Sequence, residues 1–297
     1  MVKERNIIFI INPVAGRGKT IELLPTIKEK LDEMKNIKYS IQVSRYKGNI
    51  TEIVKSYVQK GYDEFVGVGG DGTLSEIING LDYTITKKFR VGIIPSGTGN
   101  DFVRCFDRAT DMNSVLSRIR NEETIFVDIG RANQFYFINV CSFGIDGPII
   151  KDTERLKKII HGPVAYFLST LKSGLFFKAN RVWIKVDDHE VNKPLLLIAV
   201  GNGKYIGGGM NVCPEASPQD GEFDICLVNS VSKKVFIKEL AKIYKGKLEA
   251  LKEVKYLKGK EIEISDDKNQ YYINADGTLV GKTPVKISII EKAIEFF

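Results

Sequence analysis

Cysteine and histidine are scarce in this sequence of 297 residues, and their spacing excludes several kinds of protein. The four cysteines and two histidines lie far apart along the chain: Cys105, Cys141, His161, His189, Cys213 and Cys226. No two of them have the spacing of a zinc-binding pair, and they do not form the dense pattern of a disulfide scaffold. We therefore expect neither a zinc site nor a disulfide framework, and we interpret the cysteines as reduced structural thiols.

Long apolar runs are also missing. The longest, Leu195–Val200, has the length of a strand, whereas a membrane-spanning helix needs about 18 to 20 apolar residues. Residues Met1 to Arg5 lead directly into a short apolar strand and lack the pattern of a signal peptide. These features predict a cytoplasmic protein.

Basic residues, in contrast, are in excess, and the net charge is +7 at pH 7. Residues 151–185 hold eight Lys or Arg against two acidic residues, and residues 233–260 hold ten Lys against three Glu. Such windows are typical of solvated faces or of surfaces attracted to anionic lipid. No nucleic-acid recognition motif accompanies them, so we do not expect a nucleic-acid partner.

Residues 1–128 alternate between strand and helix patterns. The predicted strands are Asn6–Ile11, Tyr39–Val43, Glu64–Val68, Val91–Ile94 and Ile125–Asp128. The predicted helices are Thr20–Lys35, residues 50–58 with Asn49 as N-cap, Leu74–Leu81 and Asn113–Arg120. This alternation favours a three-layer α/β domain around a mostly parallel sheet.

Residues 129–297 have a different character, dominated by short strand patterns. The predicted strands are Phe135–Val140, Val182–Val186, Leu195–Val200, Phe223–Val228, Glu261–Ser265, Tyr271–Asn274 and Val285–Ile290. Two helical patterns interrupt them, Pro163–Phe177 and Lys234–Tyr244, the second with Ser232 near its start. We predict a second, mainly antiparallel β domain, with a C-terminal tail that could return to the first.

Three glycine-containing loops follow predicted strands of the first domain: residues 12–20, 67–73 and 95–104. Because the carboxyl ends of parallel strands lie at one edge of a sheet, where ligands bind, we expect these loops to form one site. The first loop ends like a P-loop, but Pro13 stands where that motif requires glycine, so we reject a true P-loop. Small residues before a helix still suit a phosphate.

The second loop places Asp71 among glycines, in the run Gly67-Val68-Gly69-Gly70-Asp71-Gly72-Thr73. Its G-x-G-x-x-G match is weak evidence for a dinucleotide, because no acidic residue follows at the required distance. A carboxylate directed at bound phosphates repels them unless Mg²⁺ lies between. The loop therefore indicates a metal–nucleotide site; the alternative is a glycine turn with a capping Asp.

Together these loops resemble the catalytic domain of the diacylglycerol kinase family, which includes bacterial lipid kinases and the sphingosine and ceramide kinases. The most specific matches are Gly69–Thr73 with Glu76, Pro95–Arg104, and the opening Asn12-Pro13-x-x-Gly16. Further matches are Asn139, Gly144-Ile145-Asp146, Asn202, Gly207–Gly209, Asp220-Gly221-x-Phe223-Asp224, Asp276-Gly277 and Thr283-Pro284-Val285. The resemblance covers essentially the whole chain. It implies an α/β domain followed by an antiparallel β-sandwich, as in NAD kinases and diacylglycerol kinases.

The resemblance also implies roles for particular residues. Those expected around ATP are Asn12, Pro13, Val14, Ala15, Gly16, Ser44, Gly70, Asp71, Gly72, Thr73, Leu74, Ser75, Glu76 and Thr98. Asp71 is expected to place the catalytic Mg²⁺, with Asp101 and Asp128 in a network of carboxylates and water behind it.

A second, structural Mg²⁺ site is implied in the β domain. Its expected ligands are the carbonyl groups of Ser217 and Glu222 and the carboxylate of Asp220. Hard oxygen ligands of this kind suit Mg²⁺. Without the resemblance, a solvated turn is the simpler interpretation of Asp220.

One position departs from the family pattern. The family has Asp-Gly-Glu where this chain has Asp276-Gly277-Thr278, and both acids are implicated in activating the lipid hydroxyl. Asp276 is our candidate base, and Thr278 cannot replace a carboxylate. Loss of one assisting acid can cost on the order of 10²-fold in rate, or it can mark a different acceptor.

The resemblance implies an ATP- and Mg²⁺-dependent lipid kinase that converts diacylglycerol to phosphatidic acid. A kinase for another hydroxyl lipid is one alternative. NAD kinase is a second, since its family shares Gly-Gly-Asp-Gly, but the Gly97-Thr98-x-Asn100-Asp101 loop argues against it. A non-catalytic nucleotide or lipid sensor is a third, which Thr278 supports.

Residues 163–177 suit an element that touches a membrane surface. Their apolar members are Val164, Tyr166, Phe167, Leu168, Leu171, Leu175, Phe176 and Phe177, and the lysines around them are Lys157, Lys158, Lys172 and Lys178. Packing of this helix on the β domain is the alternative. We expect peripheral, salt-sensitive contact with anionic membranes. The sequence does not decide between a monomer and a homodimer.

Overall fold

The structure is a computed structural model that describes residues 4–156, 160, 163–244, 251–268 and 270–297. It divides into two compact units. Unit 1 comprises the chain up to Asp128 together with Glu291–Phe297, and unit 2 comprises Ile129–Ile290.

Unit 1 alternates strands and helices, as the sequence predicts. Its strands are β1 (Arg5–Ile11), β2 (Ile37–Val43), β3 (Glu64–Gly69), β4 (Phe89–Pro95) and the first part of β5 (Ile125–Ala132). Its helices are α1 (Leu24–Asp32), α2 (Asn49–Gln59), α3 (Asp71–Ile78) and α4 (Met112–Asn121), with short 3₁₀ segments at Ala15–Leu23 and Val103–Cys105.

The sheet of unit 1 is parallel, in the order β2, β1, β3, β4, and the end of the last strand of the chain (Val285–Phe296) pairs with β4. Its central strands are apolar on both faces; Ile7 to Ile11 are fully buried. Helices α1 and α4 pack on one face through Ile27, Leu31 and Ile119. On the other face, Gly67 of β3 lies against Ile77 of α3. The three-layer α/β fold is confirmed.

Helix starts in unit 1 differ from those predicted. The expected helix from Thr20 is 3₁₀-helical up to Leu23 and becomes an α-helix only at Leu24. Pro25 in the first turn fits that start, since proline is tolerated there but not deeper in a helix. The expected cap Asn49 is wrong: Gly48, with φ of 90°, is the N-cap, and Asn49 is the first residue of α2.

Unit 2 is mainly β-structure. Its strands are the rest of β5, β6 (Phe135–Phe137), β7 (Val140–Gly144), β8 (Arg181–Val186), β9 (His189–Gly201), β10 (Tyr205–Ile206), β11 (Met210–Asn211), β12 (Phe223–Asn229), β13 (Val254–Gly259), β14 (Glu261–Asp266), β15 (Tyr272–Ala275), β16 (Thr278–Lys282) and the first part of β17 (Val285–Phe296). Its helices are α5 (Asp146–Leu156), α6 (Pro163–Phe176) and α7 (Lys233–Tyr244).

The long strand β9 joins two groups of antiparallel strands in unit 2. Its first half, up to Pro194, pairs with β8, which continues through β14 to β17. Its second half, from Leu195, lies between β7 and β12. Side chains from both groups form one core that includes Phe143, Ile184 and Ile225. The predicted mainly antiparallel β domain is confirmed.

Some elements of unit 2 were not predicted. The expected strand Phe135–Val140 is two strands, β6 and β7. Helix α5 was missed because Gly147 and Pro148 lie in its first turn, where the sequence suggests a loop. Strand β13 was missed because lysines obscure its apolar residues.

Candidate functional site

The three predicted loops lie side by side in unit 1, because β1, β3 and β4 are neighbours in the sheet. Asn12 donates from Nδ2 to Thr73 Oγ1 at 3.0 Å, which joins the first loop to the second. The backbone N–H of Ser96 donates to the Gly69 carbonyl at 2.8 Å, which joins the third to the second. The hydroxyls of Thr20 and Ser96 lie 2.9 Å apart. The loops therefore form one continuous surface.

Glycine is required where these loops touch. A Cβ on Gly97 would lie 2.5 Å from the Cα atom of Gly70, so no larger residue permits this approach. A Cβ on Gly16 would lie 2.2 Å from the Ser96 carbonyl oxygen, and Gly16 also has a left-handed φ of 56°. These glycines bring exposed backbone from three loops to one place.

Helix α3 begins at Asp71, directly after its N-cap Gly70. The first N–H groups of a helix lack partners within the helix and, together with the helix dipole, favour a bound anion. Gly72 is exposed, and a Cβ there would meet nothing within 4 Å. The predicted helix began at Leu74; the earlier start places the Gly-Asp-Gly-Thr run in the first turn, where backbone can contact phosphate.

Two carboxylates border the third loop. Asp71 Oδ1 accepts the backbone N–H of Phe102 at 3.1 Å. A Cβ on Gly99 would lie 2.9 Å from Asp71 Oδ2 and 3.6 Å from Asp101 Oδ2, so both carboxylates flank this glycine. Asp101 is 5% exposed. Mg²⁺ commonly takes one or two carboxylates and completes its ligands with phosphate and water, and this pair fits that pattern.

Asp128, the third predicted acid, has a different environment. It is buried in β5, and its Oδ1 accepts the backbone N–H of Lys292 at 2.6 Å. Among the described residues, no three acidic, histidine or cysteine side chains are grouped as a metal centre. The structure therefore places Asp71 and Asp101 together and does not gather all three acids around one point.

Ser44 and Glu76 connect the loops to their surroundings. The backbone N–H of Ser44 donates to the Ile11 carbonyl at 2.9 Å, which places this buried serine beside the first loop. The Glu76 carboxylate accepts the N–H groups of Gly48 at 3.1 Å and Ile50 at 3.2 Å. Glu76 thus provides hydrogen-bond acceptors for backbone N–H groups at the start of α2.

The other residues expected around ATP divide by exposure. Val14 is 80% exposed, Thr98 is exposed, and Pro13 and Ala15 are partly exposed. The side chains of Thr73, Leu74 and Ser75 are buried. The buried three can shape α3, and the exposed ones present surface to a ligand.

Asp276, the predicted base, lies in unit 2 between β15 and β16, with a left-handed φ of 47°. Its carboxylate accepts three backbone N–H groups, from Ile138 at 2.8 Å, Asn139 at 3.0 Å and Val140 at 3.1 Å. These donors stabilise the negative charge and orient the carboxylate. Thr278 follows as the first residue of β16.

A second carboxylate, Asp146, lies in the same part of unit 2. It is 2% exposed at the start of α5 and is bonded to the Ser142 hydroxyl and the Asn274 amide. Burial, followed by the charges of Asp276 and Asp146, raises the pKa of the Cys141 thiol well above its usual range. Both carboxylates thus act on one buried thiol. The sequence matched Asp146 to the family without giving it a role.

An apolar cavity of about 80 Å³ adjoins Asp146. Its lining includes Ile149 of α5, Leu196 of β9, Val235 and Phe236 of α7, and Val212, which follows β11. Asp146, Glu239 and Glu253 are among the residues at its border, but almost all of the wall surface is apolar. Such a lining suits the hydrocarbon part of a ligand. No sequence pattern identified the cavity, because its walls come from separate segments.

At the predicted second metal site, Asp220 makes hydrogen bonds and an ion pair with other groups of the protein. Asp220 Oδ1 accepts the Glu222 N–H at 3.2 Å, and the Ser217 carbonyl accepts the Asp220 N–H at 3.5 Å. Asp220 Oδ2 lies 3.6 Å from Lys258 Nζ, which also lies 3.2 Å from Asp224 Oδ2. A lysine ammonium repels a divalent cation, so these residues do not fit Mg²⁺. Lys258 was not a candidate because β13 was not predicted.

Comparison with protein-family models matches nearly the whole chain. Residues 6–132 match the diacylglycerol kinase catalytic domain, and residues 139–297 match the YegS C-terminal NAD kinase beta sandwich-like domain. The first match contains the three loops. The second contains Asp146, Asp220 and Asp276.

Known proteins with similarity over both units support these matches. The diacylglycerol kinase of Staphylococcus epidermidis is 31% identical over 292 residues, which cover 97% of this chain and 90% of that protein. The diacylglycerol kinase of Staphylococcus saprophyticus is also 31% identical, over 97% of this chain and 93% of that protein. The crystal structure of a diacylglycerol kinase from Bacillus anthracis has a TM-score of 0.80 and 27% identity, covering 100% of this chain and 98% of that chain.

Proposed function

Since this chain belongs to the diacylglycerol kinase family, we propose that it is an ATP-dependent lipid kinase with diacylglycerol as acceptor. The convergence of the three loops beside Asp71 is the structural observation that carries the proposal. The acceptor hydroxyl oxygen forms a bond to the γ-phosphorus, and the bond between that phosphorus and ADP breaks. The hydroxyl proton goes to a base, and the products are phosphatidic acid and ADP.

We assign ATP to the loops of unit 1. The first turn of α3 offers N–H groups to the phosphates, and Gly72 leaves the space open. Asp71 and Asp101 are the residues that would hold Mg²⁺. When bound, Mg²⁺ supplies positive charge that offsets the charge of the transferred phosphoryl group.

Asp276 is the proposed base of the reaction. Its orientation by three backbone N–H groups supports a role that needs a fixed carboxylate. Thr278 provides no second carboxylate, so we expect a slow enzyme. Transfer of a single proton requires only one positioned base, and for that reason Thr278 does not exclude activity.

The lipid acceptor is assigned to unit 2, with acyl carbons in the apolar cavity and the glycerol end toward Asp146. The aliphatic residues Ile149, Leu196 and Val235 suit a hydrocarbon chain. Asp146 accepts hydrogen bonds from the Ser142 hydroxyl and the Asn274 amide, and a carboxylate has further lone pairs with which to accept the hydroxyl of a lipid.

Peripheral contact with an anionic membrane is the remaining part of the proposal. Helix α6 exposes Val164 (54%), Phe167 (43%) and Phe176 (73%), and Ile237 of α7 is 51% exposed. Exposed lysines also occur in α6 (Lys172), shortly after α6 (Lys178) and in α7 (Lys233 and Lys238). Lys157 and Lys158 lie outside the described residues. In the described part of the chain, no helix is both long and apolar enough to cross a bilayer. Exposed apolar side chains on helices that also carry exposed lysines favour an anionic membrane surface.

Product identification tests the proposal. The protein is incubated with ATP, Mg²⁺ and a mixture of diacylglycerol, ceramide, sphingosine and NAD, and phosphorylated products are identified by mass spectrometry. We expect phosphatidic acid. A phosphorylated sphingolipid would show that the acceptor is a sphingolipid and not diacylglycerol. Phosphorylated NAD would contradict the proposal that this protein is a lipid kinase. ATP binding without any product would identify a nucleotide-binding protein instead.

A further inference from the structure

The turn between Ser217 and Phe223 in unit 2 is where this chain differs from the metal site that the family resemblance implies. The turn is built around Asp220 and Gly221, whose φ of 75° is left-handed. Asp220 Oδ1 already accepts the N–H of Glu222 at 3.2 Å, so this carboxylate closes the turn through a protein hydrogen bond. A divalent ion is not needed to form that bond.

Lys258 brings a positive charge to the same turn. It lies opposite Asp224 in the antiparallel register of β12 and β13, so strand pairing determines its position. Its Nζ lies 3.2 Å from Asp224 Oδ2 and 3.6 Å from Asp220 Oδ2. One ammonium group therefore contacts both carboxylates.

The burial of Asp224 keeps this ammonium in place. The Asp224 side chain is 5% exposed, and a buried carboxylate without a cation is strongly unfavourable. The Lys258 side chain is about half exposed, so its methylene chain can reach the turn from the surface. Displacing Lys258 in favour of a metal at Asp220 would leave Asp224 without its partner.

We propose that Lys258 is a built-in cation that takes the place of the structural metal ion, so that this turn of unit 2 forms without a divalent cation. The like charge of Lys258 opposes metal binding at Asp220. Removing that charge is expected to strengthen binding of Mg²⁺ at the turn by about tenfold or more, because a neighbouring unit charge acts strongly over a few ångströms.

Thermal unfolding of the full chain without nucleotide, in EDTA and in excess Mg²⁺, tests the proposal. If no Mg²⁺ binds at Asp220, any effect of Mg²⁺ on the unfolding temperature comes from another part of the protein. We therefore expect the unaltered protein and Asp220→Asn to respond equally to Mg²⁺. Lys258→Met should unfold at a lower temperature in EDTA and recover in Mg²⁺. The recovery should be lost in the double variant Lys258→Met with Asp220→Asn. Lys255→Met, an exposed lysine of the same strand, is the matched control and should behave like the unaltered protein.

Two results would overturn the proposal. One is a rise in the unfolding temperature of the unaltered protein with Mg²⁺ that Asp220→Asn abolishes. The other is a Lys258→Met variant that is as stable in EDTA as the unaltered protein and gains no response to Mg²⁺. If Lys258→Met does not fold, calorimetric titration with Mg²⁺ decides: the unaltered protein and Asp220→Asn should bind the same number of ions.

Discussion

At the scale of single residues, Asp71 links the fold of unit 1 to its proposed chemistry. The residue is part of α3, it accepts the N–H of Phe102 in the third loop, and it shares the space beside Gly99 with Asp101. One carboxylate therefore touches two loops and faces a second carboxylate. A neutral amide of the same shape can keep part of this packing, but without the negative charge it binds a divalent cation less strongly.

Asp71→Asn is expected to lower kcat for phosphate transfer by about 10² to 10³-fold, because it removes charge that acts on the transferred group. ATP binding, measured by calorimetry, should weaken far less than kcat falls, since the backbone of α3 remains. Asp107→Asn, an exposed acid nearby in sequence, is the control and should retain full activity. Equal activity of Asp71→Asn and the unaltered protein would contradict the assignment.

A substitution at Thr278 can test for a gain of activity, whereas Asp71→Asn tests for a loss. Thr278→Glu restores the acid that the family has, at the first position of β16 and two residues after Asp276. If a missing acid limits the rate, initial rates with diacylglycerol should rise by up to about 10²-fold. Thr278→Gln, which has the same size without the charge, should not show this rise. An unchanged rate for Thr278→Glu would mean that the site works without that acid.

At the scale of elements, the parallel strands of unit 1 were the most predictable part. Buried parallel strands are continuous apolar runs such as Ile7 to Ile11, and glycine-rich loops mark their ends. The convergence of the loops was also predictable, because topology alone brings neighbouring strand ends together. The starts of helices were less predictable. Gly48 is the N-cap of α2 because of its left-handed backbone conformation, which no side-chain pattern reveals.

Contacts between distant segments could not be predicted. The three N–H donors to Asp276 come from residues about half the chain away, and Lys258 meets Asp224 only through the register of two strands. The cavity beside Asp146 has walls from separate elements. Each of these depends on tertiary packing, which local sequence does not encode in a readable pattern.

The end of β14 shows how such a contact governs stability. Asp266 is 7% exposed and accepts the N–H groups of Lys268 and Gln270, both at 3.1 Å, and the Thr283 hydroxyl. Burial alone raises the pKa of Asp266, but these hydrogen bonds outweigh burial and lower it below its usual value. The folded protein therefore favours the ionised carboxylate.

A lowered pKa in the folded state gives stability that is present above the ordinary pKa, about 4, and is lost as pH falls through the folded value. Asp266→Asn should thus be less stable near neutral pH, by about 1 to 3 kcal/mol. The difference from the unaltered protein should shrink as the pH falls below 4. Denaturant unfolding at several pH values measures this. A difference that stays constant with pH would show that the charge of Asp266 is not the cause.

At the scale of the whole molecule, the protein must reach a lipid substrate, although no helix in the described residues can cross a membrane. The exposed aromatic and aliphatic side chains of α6, with lysines beside them, suggest a reversible surface contact. Lys233 Nζ lies 5.7 Å from the centre of the Phe176 ring, so a cation and the most exposed of these aromatic rings are adjacent.

Binding to vesicles that contain anionic phospholipid should weaken as salt increases. Phe176→Ser should weaken it by about tenfold or more, because burial of one large apolar side chain contributes about 1.5 to 3 kcal/mol. Phe126→Ser, which alters another exposed phenylalanine, in β5, should bind like the unaltered protein. Sedimentation with vesicles measures both. Equal loss in the two variants would argue against α6 as the contact.

Direct transfer of phosphate from ATP tests whether this protein phosphorylates a lipid. Radiolabelled ATP is incubated with Mg²⁺, diacylglycerol in anionic mixed micelles, and either the unaltered protein or Asp71→Asn. We predict labelled phosphatidic acid with the unaltered protein and almost none with the variant. Absence of labelled lipid with an unaltered protein that binds ATP would contradict lipid kinase activity, and equal labelling by both proteins would contradict the role of Asp71.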